Sequence, residues 1–284
     1  MPRVLCCLLA ATVLAAVAAA ADDTDKSAFT LFNPTPSEHL RELSVDGPAK
    51  SASPYTVDAG HVQLEMNLVS YTYDRSPSHG SRRRLDDWSI APLNLKVGLL
   101  DRLDAQVVLE TYEVVRERTR RGRVTRRGFG DVTARLKYNF WGNDDGQTAF
   151  AAMAYLKAPT SQDHVGNPGV EGGLILPFAA SLPWNFDTDL MTRFDAVRDD
   201  DGRGYHPEFV HSVDLGHDLI GKLSGYVEWF SDVSGEHGAG WESTFDVGLI
   251  YGLTPNMQIQ AGVDLGLTRA ADEVASFIGL AWRS

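Results

Sequence analysis

Charged and amide side chains recur at every second position in several stretches of this chain. They are Glu65, Lys96, Asp104, Gln106, Glu110, Asp131, Arg135, Lys137, Asp187, Asp189, Arg193, Glu228, Asp246, Gln258, Gln260 and Asp264. Fixed charges in such rows can line a passage and select which solutes enter it, or they can pair across a narrow space and only satisfy one another. The mixed signs leave both readings open, and the acidic excess favours cations or neutral solutes over anions. A second set is denser. Arg82, Arg83, Arg84, Arg116, Arg118, Arg120, Arg121, Arg123, Arg126 and Arg127 place ten of the 26 basic residues in two short stretches. Guanidinium groups meet phosphate oxygens bidentately, so these stretches suit a phosphate-bearing surface, and solvated charged loops explain them equally well.

Catalytic chemistry finds little to work with. His206, His211 and Ser212 lie close in sequence, but no Gly-x-Ser-x-Gly elbow accompanies them, and proximity along a chain does not define a triad. Asp199-Asp200-Asp201-Gly202 resembles a fragment of a calcium loop without its spaced ligands or closing Glu. The eight histidines show no paired-ligand spacing. No catalytic residue, metal or cofactor is expected. A formal charge of -12 also argues against a nucleic-acid partner.

The elements that must position these side chains begin after an export segment. Met1–Ala21 has one early positive charge, an apolar core and a run of small residues before Asp22, the layout of a secretory signal. Both cysteines, Cys6 and Cys7, fall inside it. Residues 22–59 are polar and rich in turn formers and read as a mostly irregular periplasmic leader, with a short helix near Ser37–Leu43. From Gly60 to Ser284 apolar residues recur with period two. Leu93, Leu95, Val97 and Leu99 alternate with Asn94, Lys96 and Gly98; Val132, Ala134, Leu136, Tyr138 and Phe140 alternate with Thr133, Arg135, Lys137 and Asn139. This is the strand period, and a helical reading would scatter the charges through the apolar face.

About twelve such segments fit residues 60–284. Tight connections near Leu100–Arg102, Gly142–Gly146, Ala179–Trp184, His217–Gly221 and Gly252–Asn256 alternate with longer ones near Arg75–Asp87, Arg116–Arg127, Ala158–Pro168, Arg198–Pro207 and Asp232–Gly240. Short periplasmic turns and longer outer loops are the asymmetry of outer-membrane barrels. In hydrocarbon every backbone polar group needs a partner, so a strand protein there must close on itself. The expected fold is therefore an all-β, transmembrane, antiparallel up-and-down β-barrel of about 12 strands in the bacterial outer membrane. The six tryptophans, mostly near strand ends, fit interfacial girdles. Expected partners are outer-membrane lipid, lipopolysaccharide phosphates at the arginine stretches, a small-molecule solute and the barrel-assembly machinery.

Certain stretches resemble a known family. Leu40-Arg41-Glu42-Leu43-Ser44, Ser53 through Glu65, Gly98-Leu99-Leu100-Asp101-Arg102-Leu103, Gly128-Phe129-Gly130-Asp131 and Val170 through Phe178 are similar to the outer-membrane transporters grouped as "MetA-pathway of phenol degradation". Two departures stand out. The chain has Asp46-Gly47-Pro48 where that family often has Asp-Arg-Pro, and it ends on Trp282-Arg283-Ser284 instead of an aromatic residue. The resemblance implies passive transport of small aromatic or hydrophobic molecules. The alternatives are a structural or lipopolysaccharide-interacting barrel without transport, and an outer-membrane hydrolase.

Overall fold

The computed structural model describes residues 25–47, 50–75, 84–119, 122–163, 165–166, 168–199 and 202–284. The export segment expected over residues 1–21 lies outside them, as do Arg82, Arg83, Arg120 and Arg121. The described strands are β1 (Val62–Asp74), β2 (Arg84–Ile90), β3 (Leu93–Leu100), β4 (Leu103–Leu109) and β5 (Tyr112–Thr119). They continue with β6 (Gly122–Gly128), β7 (Val132–Trp141), β8 (Thr148–Ala158), β9 (Glu171–Leu182) and β10 (Phe186–Arg198). The last are β11 (Tyr205–Ile220), β12 (Leu223–Ser234), β13 (Trp241–Thr254), β14 (Met257–Gly266) and β15 (Val274–Arg283).

All pairings are antiparallel, and β15 returns to pair with β1. Three of the fifteen strands, β2, β5 and β6, stand outside the ring, which leaves twelve that close it. The three are upward continuations. β2 runs into β3 through Ala91-Pro92, where Ala91 takes a φ of 54°; β5 continues β4, and β6 precedes β7. Together they form a ribbon above the rim, attached to the upper half of β1.

That ribbon corrects two expected loops. Arg84–Asp87, Arg116–Thr119 and Gly122–Arg127 are strand, and the long connections expected over Arg75–Asp87 and Arg116–Arg127 are shorter than the sequence suggested. Charge decides which medium a face meets. It does not stop a Val- and Thr-containing backbone from pairing as a hairpin.

The barrel is inside-out relative to a soluble protein. Leu95, Leu136, Tyr138, Phe140, Val213, Val247 and Leu249 point outward and are exposed, while Lys96, Lys137, Gln106, Glu228 and Asp246 are among the most deeply buried side chains. Among the described residues no helix is long and apolar enough to cross a membrane; the strands do so. The tight turns and both ends of the barrel sequence gather at one rim. Trp141, Trp184 and Trp282 lie outward near that rim, and Trp88 and Trp241 lie toward the other.

Candidate functional site

The lumen holds a segment of the chain itself. Residues 25–42 cover the tight-turn rim, where Leu31 N–H donates to the Leu99 carbonyl at 2.8 Å. Arg41 there reaches Asp101, Asp144 (2.9 Å) and Asp58 (3.2 Å). Burial alone would lower the Arg41 pKa, but the hydrogen bond to Asp144 and the charges of Asp58, Asp144 and Asp101 raise it. Residues 44–47 and 50–58 then lie inside the barrel and together form a plug. They leave beside Gly98, whose Cα approaches the backbone so closely that a Cβ there would lie 2.1 Å from the Asp58 carbonyl oxygen.

Three zones of the inner wall hold this plug, and each matches it chemically. On the β3 and β7 side, Asp46 accepts from Lys96 at 2.7 Å and Lys137 at 2.6 Å. Lys96 also pairs with Glu65, and both lysines are almost wholly buried. Burial would raise the Asp46 carboxyl, but the two ammonium groups hold it well below the usual carboxylate range. On the β8 to β11 side, Ala52 packs into an apolar patch of Met153, Ile175, Met191 and Val210. On the β12 to β14 side, Glu228 accepts from Lys50 N–H (2.7 Å), Ser51 N–H (2.8 Å) and the Ser51 hydroxyl (2.5 Å). Lys50 Nζ lies 3.4 Å from both Asp246 and Asp264.

Further bonds fix the path. Asp104 accepts from Val57 N–H at 3.1 Å, Asn139 donates to the Pro54 carbonyl at 3.0 Å, and the hydroxyls of Ser51 and Ser212 are 2.6 Å apart. The chain's last strand takes part as well: Trp282 faces outward, while Arg283 turns inward to Asp58 at 3.3 Å.

The sixteen lumen candidates picked from the sequence fall on the inner wall, though they do different things. Glu65, Lys96, Asp104, Lys137, Glu228, Asp246 and Asp264 meet the plug. Gln106 donates to Asp104 and accepts from Asn94, and Gln260 is buried. Glu110, Asp131, Arg135 and Arg193 lie toward the outer end, where Asp131 accepts from Ser161 N–H (3.0 Å) and Arg193 donates to Asp195 (2.6 Å). Asp187, Asp189 and Gln258 line a cavity of about 1140 Å³ between the plug and the wall, opening at the tight-turn rim.

Sequence reasoning missed Asp46, Lys50, Ser51, Asp58, Asp195, Asp214 and Tyr226. The last two occupy polar-phase positions of strands whose alternation is weak. The stripe Gly216, Gly248 and Gly262 was also a signal. Gly216 and Gly248 stand opposite Tyr226 on either side and Gly262 stands opposite Gly248, and a Cβ on Gly248 would come 2.3 Å from the Tyr226 ring.

The hydrolase candidates do not meet. Ser212 bonds Ser51 inside the lumen, His211 bonds Thr192 on the outside at 3.1 Å, and His206 bonds Asp199 at 2.8 Å. Among the described residues Asp199, His206 and Glu236 bring potential metal-ligand atoms within 4.8 Å of one another, a grouping the spacing did not suggest.

Residues 45–284 match the family described as "Putative MetA-pathway of phenol degradation". The chain belongs to that family. The matched range of this MetA-pathway barrel includes most of the plug. No curated protein sequence matches the chain. Similar solved structures include a NanC porin (11% identity, 78% of this chain and 98% of the other, TM-score 0.49) and a KdgM porin (10%, 77% and 98%, 0.45). The translocator domain of the autotransporter NalP from Neisseria meningitidis is also similar (9%, 78% and 88%, 0.47). The ring closure and the apolar exterior of the MetA-pathway barrel make it a transmembrane barrel of the bacterial outer membrane.

Proposed function

We propose that this barrel passes small molecules passively across the outer membrane, with residues 44–58 as an internal gate that shifts to admit them. The observation that carries this reading is the polar, partly open lumen: a cavity of about 1140 Å³ runs beside a plug held by side-chain contacts instead of by strand pairing. A segment added to the sheet would be permanent. One held by separate ion pairs and hydroxyl contacts can leave. The family's description points to phenolic or other aromatic solutes. No energy-coupling motif accompanies the lumen, so transport is downhill, and the barrel works without catalysis. The first 21 residues direct export, and the barrel-assembly machinery inserts the product.

The test is solute entry into proteoliposomes, comparing phenolic acids, alkanes, sugars and amino acids of similar size. Selective entry of aromatics supports the full reading, and size-limited entry of every class reduces it to a general pore. No entry refutes transport.

A second role is favoured by one observation. Arg84, Arg118 and Arg123 stand opposite one another across β2, β5 and β6, with Arg116 and Arg127 on the same face, above Trp88 and Tyr71. Arg126 is on the other face, against Glu117. An arginine row directly above an aromatic girdle is where lipopolysaccharide phosphates would meet the barrel wall.

A further inference from the structure

Five neighbouring strands each place one carboxylate at the same level of the inner wall. Asp189 of β10 stands opposite Asp214 of β11, and Asp214 opposite Glu228 of β12. Glu228 in turn stands opposite Asp246 of β13, and Asp246 opposite Asp264 of β14. Directly opposed side chains of an antiparallel pair have Cβ atoms about 5 Å apart, and like charges there repel. No basic side chain interrupts the row.

The plug answers only part of it. Lys50 lies against Asp246 and Asp264, donates to Thr244 at 2.8 Å and sits 4.8 Å over the Phe230 ring, while Glu228 takes the Lys50 and Ser51 N–H groups. Asp189 and Asp214 are left over. Asp214 is only 7% exposed, its Oδ2 is buried with no hydrogen-bond partner among the described residues, and both carboxylates line the cavity. Tyr226 lines it too; its ring lies over Gly248, and its buried hydroxyl, without a partner among the described residues, points toward Gly262 on the Asp246 and Asp264 side. Asp187 lines the cavity closer to the rim.

These groups do not converge on a point, as a bound metal ion requires; among the described residues the grouping with that geometry is Asp199, His206 and Glu236. Lys50 shows instead what the row accepts: an alkylammonium spread between two opposed carboxylates, with a hydroxyl and a ring beside it. We propose that Asp189 and Asp214 form a binding site for an organic ammonium ion, held as the row already holds Lys50. This rests on the reading of the lumen as a solute space, and among the solutes it admits it favours those that carry an amine.

Calorimetric titration of the full barrel in detergent with n-butylammonium chloride tests the site without requiring flux. Saturable binding is expected for n-butylammonium and not for sodium butyrate. Asp189→Asn and Asp214→Asn should each weaken it by about tenfold, the worth of one hydrogen bond to a charged group. Both changes relieve like-charge repulsion, so the barrel should still fold, which heat-shifted electrophoretic migration checks. A second variant works on the other rungs: Lys50→Ala should add a second binding event between Asp246 and Asp264. Absent saturation, equal binding by the Asn variants, or preference for calcium chloride over n-butylammonium would each overturn the proposal. If amine binds in detergent and nothing enters liposomes, the site stands and the transport reading fails.

Discussion

Asp46 sits between two ammonium groups that have few other partners. Without it Lys137 keeps, among the described residues, a single hydrogen bond, to the Tyr55 carbonyl at 3.2 Å. Removing one member of a buried ion pair costs about 3–5 kcal/mol, because the other charge stays buried and uncompensated. Asp46→Ala should therefore loosen the plug, seen as faster proteolysis within residues 44–58. The pH dependence has a definite sign. The Asp46 carboxyl is depressed in the folded barrel, so its contribution is complete above the ordinary carboxylate value of about 3.9 and is lost as pH falls through the lowered value. Proteolysis of the wild-type plug by an acid-tolerant protease should stay flat from neutral pH down to about pH 4 and rise below it. A rise beginning near pH 6 would mean that Asp46 is not the controlling group.

At the scale of elements, the ribbon of β2, β5 and β6 is where reading and structure part most clearly. Period two is plain in Val132–Phe140, so β7 was legible. Arg116–Arg127 alternates less cleanly, and its arginines suggested a loop. The hairpin register then sorts the arginines: Arg84, Arg116, Arg118, Arg123 and Arg127 share one face, and Arg126 takes the other. The combined Arg84→Ala, Arg118→Ala and Arg123→Ala variant should bind lipopolysaccharide more weakly, with a shallower dependence on salt, because three phosphate-facing charges are gone. Surface-immobilised lipopolysaccharide at two salt concentrations measures this. An unchanged affinity would reduce the row to a solvated surface.

For the whole molecule the question is whether the plug moves. The Ser51 and Ser212 hydroxyls are 2.6 Å apart on plug and wall, and the only cysteines, Cys6 and Cys7, lie in the expected export segment. Ser51→Cys with Ser212→Cys should form a disulfide that ties the plug down. Flux through the oxidised protein should be abolished and restored by reduction. Equal flux in both states would mean that solutes pass beside a fixed plug.

By itself the sequence determined the barrel and its two faces, because outward and inward positions alternate within each strand and their media differ in polarity. It therefore exposed Lys96, Lys137, Glu228 and Asp246 as inner-wall residues. Only the tertiary structure decided what those residues meet. Asp46 and Lys137 are 91 positions apart, and Lys50 reaches a strand 194 positions away. The level at which Asp189, Asp214, Glu228, Asp246 and Asp264 align depends on the register of four separate pairings. Local periodicity fixes which way a side chain points. It carries no information on how far one strand is shifted against the next, or on where an irregular segment such as residues 44–58 finds partners for its backbone.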